Sequence, residues 1–264
     1  MESVRTIIDD LRAYMSDHPI LALMTCVFLV AYEFNIAQSL WRKVFVRMEV
    51  HFSKKLNVML ESKKRELFSP LLRMAASTER VERPLRVLEI GLGGGSNFDF
   101  YPDGTEIIGV DPNPEYLTHL NRELETKSGS KVTMTRIVCA GAETMDEFIE
   151  RESVDAVVAT LVLCTVQDVT AVVNNCWKVL KPGGVFLFLH HNRADPMLQP
   201  WKAWFQDLIT PITYRIADGC HFNRNPIVDI QGADFSVVNF EKYSPTTLRS
   251  YHLVHPFLIG CAVK

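Results

Sequence analysis

Apolar and polar positions change period along this chain, and the changes mark its elements. From residue 85 onward, short apolar runs alternate with amphipathic stretches. Residues 85–91 form a compact apolar run of strand type. Residues 105–111 form a second, ending on Asp111, and 131–139 alternate as a third. Residues 154–163 are almost continuously apolar, which predicts a central strand buried on both faces. Residues 185–190 predict strand five, and 235–243 and 253–263 predict two more. Between them lie helical patterns at 114–126, 143–151 and 169–180. Lys181-Pro182-Gly183-Gly184 is read as the turn that stops the last helix and leads into strand five. Seven strands with intervening helices predict an α/β chain with a doubly wound, Rossmann-like sheet.

The N-terminal third follows other rules. Residues 19–32 are uncharged and mostly apolar, and after Glu33 a second uncharged run covers 34–41. The first run is about fourteen residues, short of the roughly twenty a spanning helix needs. Two readings stand: a helical membrane anchor, spanning or interfacial, or a buried helix of a soluble protein. Tyr32 and Trp41 suit a membrane interface, and the anchor is the reading preferred here. Asp9, Asp10 and Asp17 precede the segment, and Arg42, Lys43 and Arg47 follow it. That asymmetry predicts a cytosol-facing downstream domain. Residues 44–74 are amphipathic, one or two helices with a solvated face or with basic residues on lipid headgroups. The expected organisation is 1–43 polar segment and anchor, 44–84 helical lead-in, and 85–264 α/β domain.

With 264 residues and 47% apolar content, the chain can bury a full core. A formal net charge of −3 provides no basic field for nucleic acid, so no nucleic-acid partner is expected. The six cysteines show no CxxC pair, as expected of reduced thiols.

The chemistry concentrates at Glu89-Ile90-Gly91-Leu92-Gly93-Gly94-Gly95, with Asp111 eighteen residues after Gly93. A strand, a glycine turn, a helix and an acid-tipped strand make a nucleoside-binding half. Glycines let backbone approach a ligand, and Asp111 can accept from two ribose hydroxyls. A dinucleotide fingerprint would need glycine at 96, where Ser96 stands. Glu89, placed at the mouth of the cleft, would repel a phosphate and attract a cation. The acid-x-Gly-x-Gly-x-Gly pattern resembles motif I of class I methyltransferases, which bind S-adenosylmethionine. That resemblance implies cofactor contacts from Glu89, Gly91, Gly93, Gly95 and Asp111. It also points to Ala142 and Glu143 after strand three, and to Thr160 and Leu161 after strand four. For Glu143, a charge at a helix start is an equal reading.

Several further segments resemble the microsomal alkyl-thiol methyltransferases, also called methyltransferase-like protein 7. They are Glu61-Ser62-Lys63-Lys64-Arg65-Glu66-Leu67-Phe68-Ser69, Asn97-Phe98, Phe100-Tyr101-Pro102, Asp111-Pro112-Asn113-Pro114, Thr160-Leu161-Val162-Leu163-Cys164 and Asp218-Gly219-Cys220. The resemblance runs from about residue 57 to the C-terminus. It implies methyl transfer to small alkyl thiols by an enzyme anchored on endoplasmic reticulum and lipid droplets. His191 matches a family histidine and is read as a base or thiol-orienting group with Asp218 as partner, or as a structural pair. His190-His191, Cys220 and His221 raise a zinc site, but their spacing matches no usual ligand pattern, so no metal is expected. Leu92 stands where the family usually has Cys, and His190 where it usually has Glu. Met197, Trp201, Trp204, Phe205, Tyr214 and Phe222 either roof an acceptor pocket or pack as ordinary helix residues. Two alternatives remain: a phenol or quinol acceptor, and a non-catalytic lipid-droplet protein.

Overall fold

The computed structural model describes residues 20, 23–24, 36–77, 83–126, 132–245 and 256–264. Of the two runs read as the anchor, 19–32 lies outside them except at 20 and 23–24, and 34–41 is described from residue 36. Among the described residues no helix is long and apolar enough to cross a membrane. Two compact units divide the chain, Met1–Phe45 and Val46–Lys264. The second contains the sheet and the cleft.

Two helices precede the sheet, α1 (Ile36–Met59) and α2 (Glu61–Ala76). Then come β1 (Arg86–Ile90), β2 (Thr105–Val110), α3 (Pro114–Thr126), β3 (Val132–Val138) and β4 (Val154–Thr160). They are followed by α4 (Val169–Val179), β5 (Leu180–His191), α5 (Pro200–Ile216), α6 (Ile227–Gly232), β6 (Val237–Tyr243) and β7 (Phe257–Val263). The sheet order is β3-β2-β1-β4-β5-β7-β6. The first five strands in that order run parallel, and β7 is antiparallel to both β5 and β6. The expected seven-stranded sheet is present, and β7 is inserted between β5 and β6. The chain leaves β1 toward β2 on one side and places β4 on the other. The carboxyl edges of β1 and β4 therefore flank the switch point where ligands bind in such sheets.

Apolar side chains cover both faces. Phe186 and Phe188 of β5 and Val157 and Ala159 of β4 pack against Val172, Val173 and Cys176 of α4. On the opposite face Ala156, Val158, Leu187 and Leu189 meet Leu56 and Leu60 near the α1–α2 junction and Leu67, Phe68 and Leu71 of α2. The amphipathic stripe read over 44–74 thus covers one face of the sheet from Val46 onward. Its buried positions follow the spacing of a helix packed on a sheet.

Three local expectations need correction. After the glycines there is no α-helix, only a single 3₁₀ turn at Phe98–Phe100. Pro102 and Gly104 follow at once, and Gly104 turns left-handed (φ +79°) into β2, leaving no length for a helix. Residues 143–151 form a 3₁₀ turn, Ala142–Glu147, in place of a full helix. Lys181–Gly184 is not a separate turn before strand five. It is an irregularity inside β5, where Val154 pairs with Leu180 but Ala156 pairs with Val185.

Phe68 is fully buried, with its ring centroid 5.2 Å from Tyr101 and 5.6 Å from Phe100. It ties α2 to the segment after the glycine loop. Phe68→Ala should destabilise the protein by about 3–5 kcal/mol, read from denaturant unfolding curves. A loss under about 1 kcal/mol would show that α2 is not an integral part of this core.

Candidate active site

The glycine loop leaves β1 in a left-handed conformation that side chains resist. Gly91, Gly93 and Gly95 have φ of +66°, +51° and +73°. A Cβ on Gly91 would lie 2.7 Å from Val162 in the loop after β4. Gly91 N donates to Val110 O at 2.8 Å, which locks the start of the loop to β2. The missing helix is replaced from elsewhere in the chain. Val50 of α1 lies where a Cβ on Gly94 would sit, 2.7 Å from its Cγ2. Asn57 Nδ2 donates to Ser96 O at 2.5 Å, so α1 covers the loop.

Glu89 is not at the mouth of the cleft. It is buried beneath the loop, where Oε1 accepts from Asn97 Nδ2 at 2.7 Å and Oε2 from Tyr101 Oη at 2.9 Å. Asn97 Nδ2 also donates to Thr160 Oγ1 at 2.8 Å, joining the tips of β1 and β4. Lys64, buried on α2, donates to Asn57 Oδ1 at 2.6 Å. Burial lowers Lys64 to about 8 against the pull of Glu89 and Glu49.

Asp111 stands at the tip of β2 as expected. Oδ2 accepts from Gly93 N at 3.0 Å and Oδ1 from Asn113 N at 2.9 Å. Sequence reasoning missed Glu49 on α1 and Tyr116 on α3. Glu49 Oε2 accepts from Tyr116 Oη at 3.3 Å and lies 3.8 Å from the Cβ position of Gly93. Burial raises Glu49 to about 7, Glu89 to about 7 and Asp111 to about 6. The charge of Asp111 further raises both glutamates. Three carboxyls thus crowd one glycine loop with incomplete compensation. This arrangement suits a cationic ligand and disfavours a phosphate.

The remaining expected residues divide. Ala142 is buried in the core beside β4. Glu143 Oε1 accepts from Gln167 N at 2.6 Å, which fastens the turn after β3 to the segment before α4. Thr160 serves the Asn97 link. Leu161 is left-handed (φ +57°) and donates its N–H to Leu189 O at 2.6 Å. This ends β4 earlier than the apolar run to 163 suggested.

His191 ends β5 and does not take Asp218 as its hydrogen-bond partner. Its Nε2 lies 2.9 Å from Cys220 Sγ, and its Nδ1 is buried with no hydrogen-bond partner. Cys164 completes a group of three buried side chains whose ligand atoms lie within 4.8 Å of one another. A hydrogen bond from Cys220, then the nearby His191, pulls the Cys164 thiol well below its ordinary value. Its partner Cys220 is pushed up by the same sharing of a proton. Asp218 instead lies near enough to Asp111 to raise it. The 217–221 turn therefore belongs to the cleft. His190, fully buried and stacked on Phe188, is lowered by burial to about 3 and is neutral.

The expected aromatic roof is mostly exposed. Met197, Trp201, Trp204, Leu208 and Ile212 form an open apolar stripe on and before α5, with the two indoles stacked at 4.9 Å. Phe205 and Phe222 are half-buried, and Phe222 is set edge-on to His191 at 4.8 Å.

Residues 88–188 match the family model described as a methyltransferase domain. Thiol S-methyltransferase TMT1A of Homo sapiens is 34% identical, over 84% of this chain and 87% of that protein. Thiol S-methyltransferase TMT1B of Rattus norvegicus is 37% identical, over 78% of this chain and 80% of that protein. Among solved structures, a possible histamine N-methyltransferase from Thermotoga maritima aligns with TM-score 0.52 at 15% identity. It covers 85% of this chain and 99% of that one. A putative O-methyltransferase from Nostoc punctiforme aligns with TM-score 0.53 at 16% identity, over 84% and 60% of the two chains. At those identities the likeness is one of fold.

Glu49, Glu89 and Asp111 hold their protons more tightly folded than unfolded, where values of 4.5, 4.5 and 3.8 apply. Their stabilising contribution is full below those values and is lost as pH rises through about 6 to 7. The ligand-free protein should therefore become less stable between about pH 4 and 7, and Glu49→Gln should make that fall shallower. Urea unfolding across this range checks it; an identical slope in the variant would show that Glu49 is ionised throughout.

Proposed function

This chain belongs to the thiol S-methyltransferase family, and we propose that it transfers a methyl group from S-adenosylmethionine to the sulfur of small alkyl thiols. The observation that carries this reading is the carboxyl-ringed glycine loop ending β1, with Asp111 at the tip of β2. The cofactor would supply a methyl group activated on a sulfonium, together with a second positive charge on its ammonium. Asp111, fixed by the amides of Gly93 and Asn113, keeps lone pairs for the two ribose hydroxyls. Gly91, Gly93 and Gly95 let the backbone lie close beneath the ligand. Glu49 and the buried Glu89 supply negative potential, and Glu89 acts through Asn97 by holding the loop. The methyl group of Ala142 is in the core, and in this reading its backbone amide, in the turn after β3, would meet the adenine. Thr160 and Leu161 shape the wall after β4.

The acceptor is placed at the carboxyl edges of β4 and β5, against Cys164, His191 and Cys220. A free alkyl thiol is mostly protonated at neutral pH, while its thiolate is the nucleophile. A site that orients the sulfur and draws off its proton meets both needs.

A membrane location is part of this proposal: the endoplasmic reticulum membrane and lipid droplets, with the catalytic unit facing the cytosol. The open stripe from Met197 to Ile212, with its stacked indoles, supports it, because tryptophan favours the lipid–water boundary. So do the apolar run at 19–32 and the basic residues after it. A lipophilic thiol could then reach the cleft from the bilayer.

Asp111→Asn should keep the fold and weaken S-adenosylmethionine binding about tenfold or more, measured by titration calorimetry on the full chain. Unchanged affinity would refute the ribose role. Affinity of the wild type should rise from pH 6 to 8 as the carboxyls ionise around a cation. Methyl transfer to a small alkyl thiol in preference to a phenol would establish the acceptor. Cofactor binding with transfer to the phenol alone would overturn the thiol reading.

A further inference from the structure

Three soft or borderline metal-ligating side chains converge at the carboxyl edge of the sheet from separate parts of the chain. Cys164 lies in the loop after β4, His191 closes β5, and Cys220 lies in the turn after α5. Their ligand atoms lie within 4.8 Å of one another and all three residues are buried. We propose that Cys164, His191 and Cys220 bind one thiophilic divalent cation, zinc(II), leaving a fourth coordination position for a small ligand.

Each ligand is fixed by its own backbone contacts. His221 N donates to Cys164 O at 2.8 Å, so the turn carrying Cys220 is pinned to the loop carrying Cys164. Arg224 holds that same loop through the carbonyls of Leu163 and Val166. Thr213 Oγ1 donates to Cys220 O at 2.9 Å. His191 is registered opposite Phe257 in the β5–β7 ladder. Two side-chain-bearing residues adopt left-handed backbone nearby, Leu161 (φ 57°) and Asp218 (φ 50°), three and two residues from the cysteines. Such strain persists where the surroundings enforce it, and it gathers at functional sites.

The donor set selects the ion. Two thiolates and an imidazole suit zinc, and hard cations that favour oxygen are disfavoured. Zinc–sulfur and zinc–nitrogen bond lengths place tetrahedral ligands roughly 3.5–3.8 Å apart. The His191–Cys220 contact at 2.9 Å would open to that spacing, and any wider pair, at most 4.8 Å apart, would close by about 1 Å or less. Among the described residues no fourth His, Cys, Asp or Glu joins the three. Closed four-ligand sites are structural, whereas three protein ligands with one open position form reactive sites. The linear spacing concealed this, because Cys164 and Cys220 come together only through the fold.

One extension rests on the thiol-acceptor reading above: an alkyl thiol takes the fourth position as its thiolate, with its proton released to solvent. The ion would then do what a lone imidazole does weakly, holding the sulfur ionised at neutral pH. The cation site itself does not depend on that reading.

The test begins with elemental analysis of the purified full chain after dialysis against trace zinc. About one zinc per chain is expected, falling to roughly a tenth or less in Cys164→Ser and Cys220→Ser. Cys220→His, which keeps a ligand, should retain the ion. Undiminished S-adenosylmethionine binding verifies that each variant is folded. Cobalt substitution should give a sulfur-to-metal charge-transfer band that shifts when a small alkyl thiol is added. A folded, cofactor-binding wild type that takes up no zinc would overturn the proposal, as would zinc retained in both serine variants. A cobalt band that responds to a phenol and not to a thiol would uphold the cation site and overturn the thiol reading.

Discussion

A carboxylate sealed beneath the glycine loop organises the cleft. Glu89 lies near the end of β1 with both oxygens bonded, one to Asn97 and one to Tyr101. A buried acid without partners would be very unfavourable, so the partners cannot move independently. Asn97 is thereby drawn down and reaches Thr160, joining β1 to β4 across the switch point. Tyr101 is held against Phe68 of α2. A single buried group thus aligns the loop, two strand tips and a helix.

The helix that covers the loop comes from a distant part of the chain. A βαβ half normally follows its glycine turn with a helix, whose N-terminus presents free amides to the ligand. Here that helix is reduced to one 3₁₀ turn, and α1 packs over the glycines instead. Glu49 and Val50 bring a carboxyl and an isopropyl group where amides would otherwise be. The local field becomes negative, consistent with a ligand carrying positive charge.

Residues close together in sequence were readable, and those brought together by packing were not. The strand, the glycines and Asp111 lie within one short stretch, and their spacing alone predicts their meeting. The doubly wound α/β class also follows from the alternation of runs, while the order of the strands does not. Glu49 gave no signal, because an amphipathic helix shows that one face is buried but not what covers it. The Cys164–His191–Cys220 group was hidden for the same reason. Its members are separated by 27 and 29 residues, and no ligand spacing at that scale is diagnostic. The motif marks Glu89 as chemically important but does not tell that it lies beneath the loop. A strand position gives depth only when its neighbours are known, and Tyr101 and Lys64 arrive from two separate segments. The absent helix after the glycines was foreshadowed by Pro102 and Gly104.

The covering helix also ties the cleft to the core. Val50 and Asn57 touch the glycine loop, and Leu56, beside Asn57, is buried among the side chains that cover the sheet. Loosening the core at Leu56 would therefore uncover the glycines as well, so the stability of the fold and the shape of the cleft are set by the same helix.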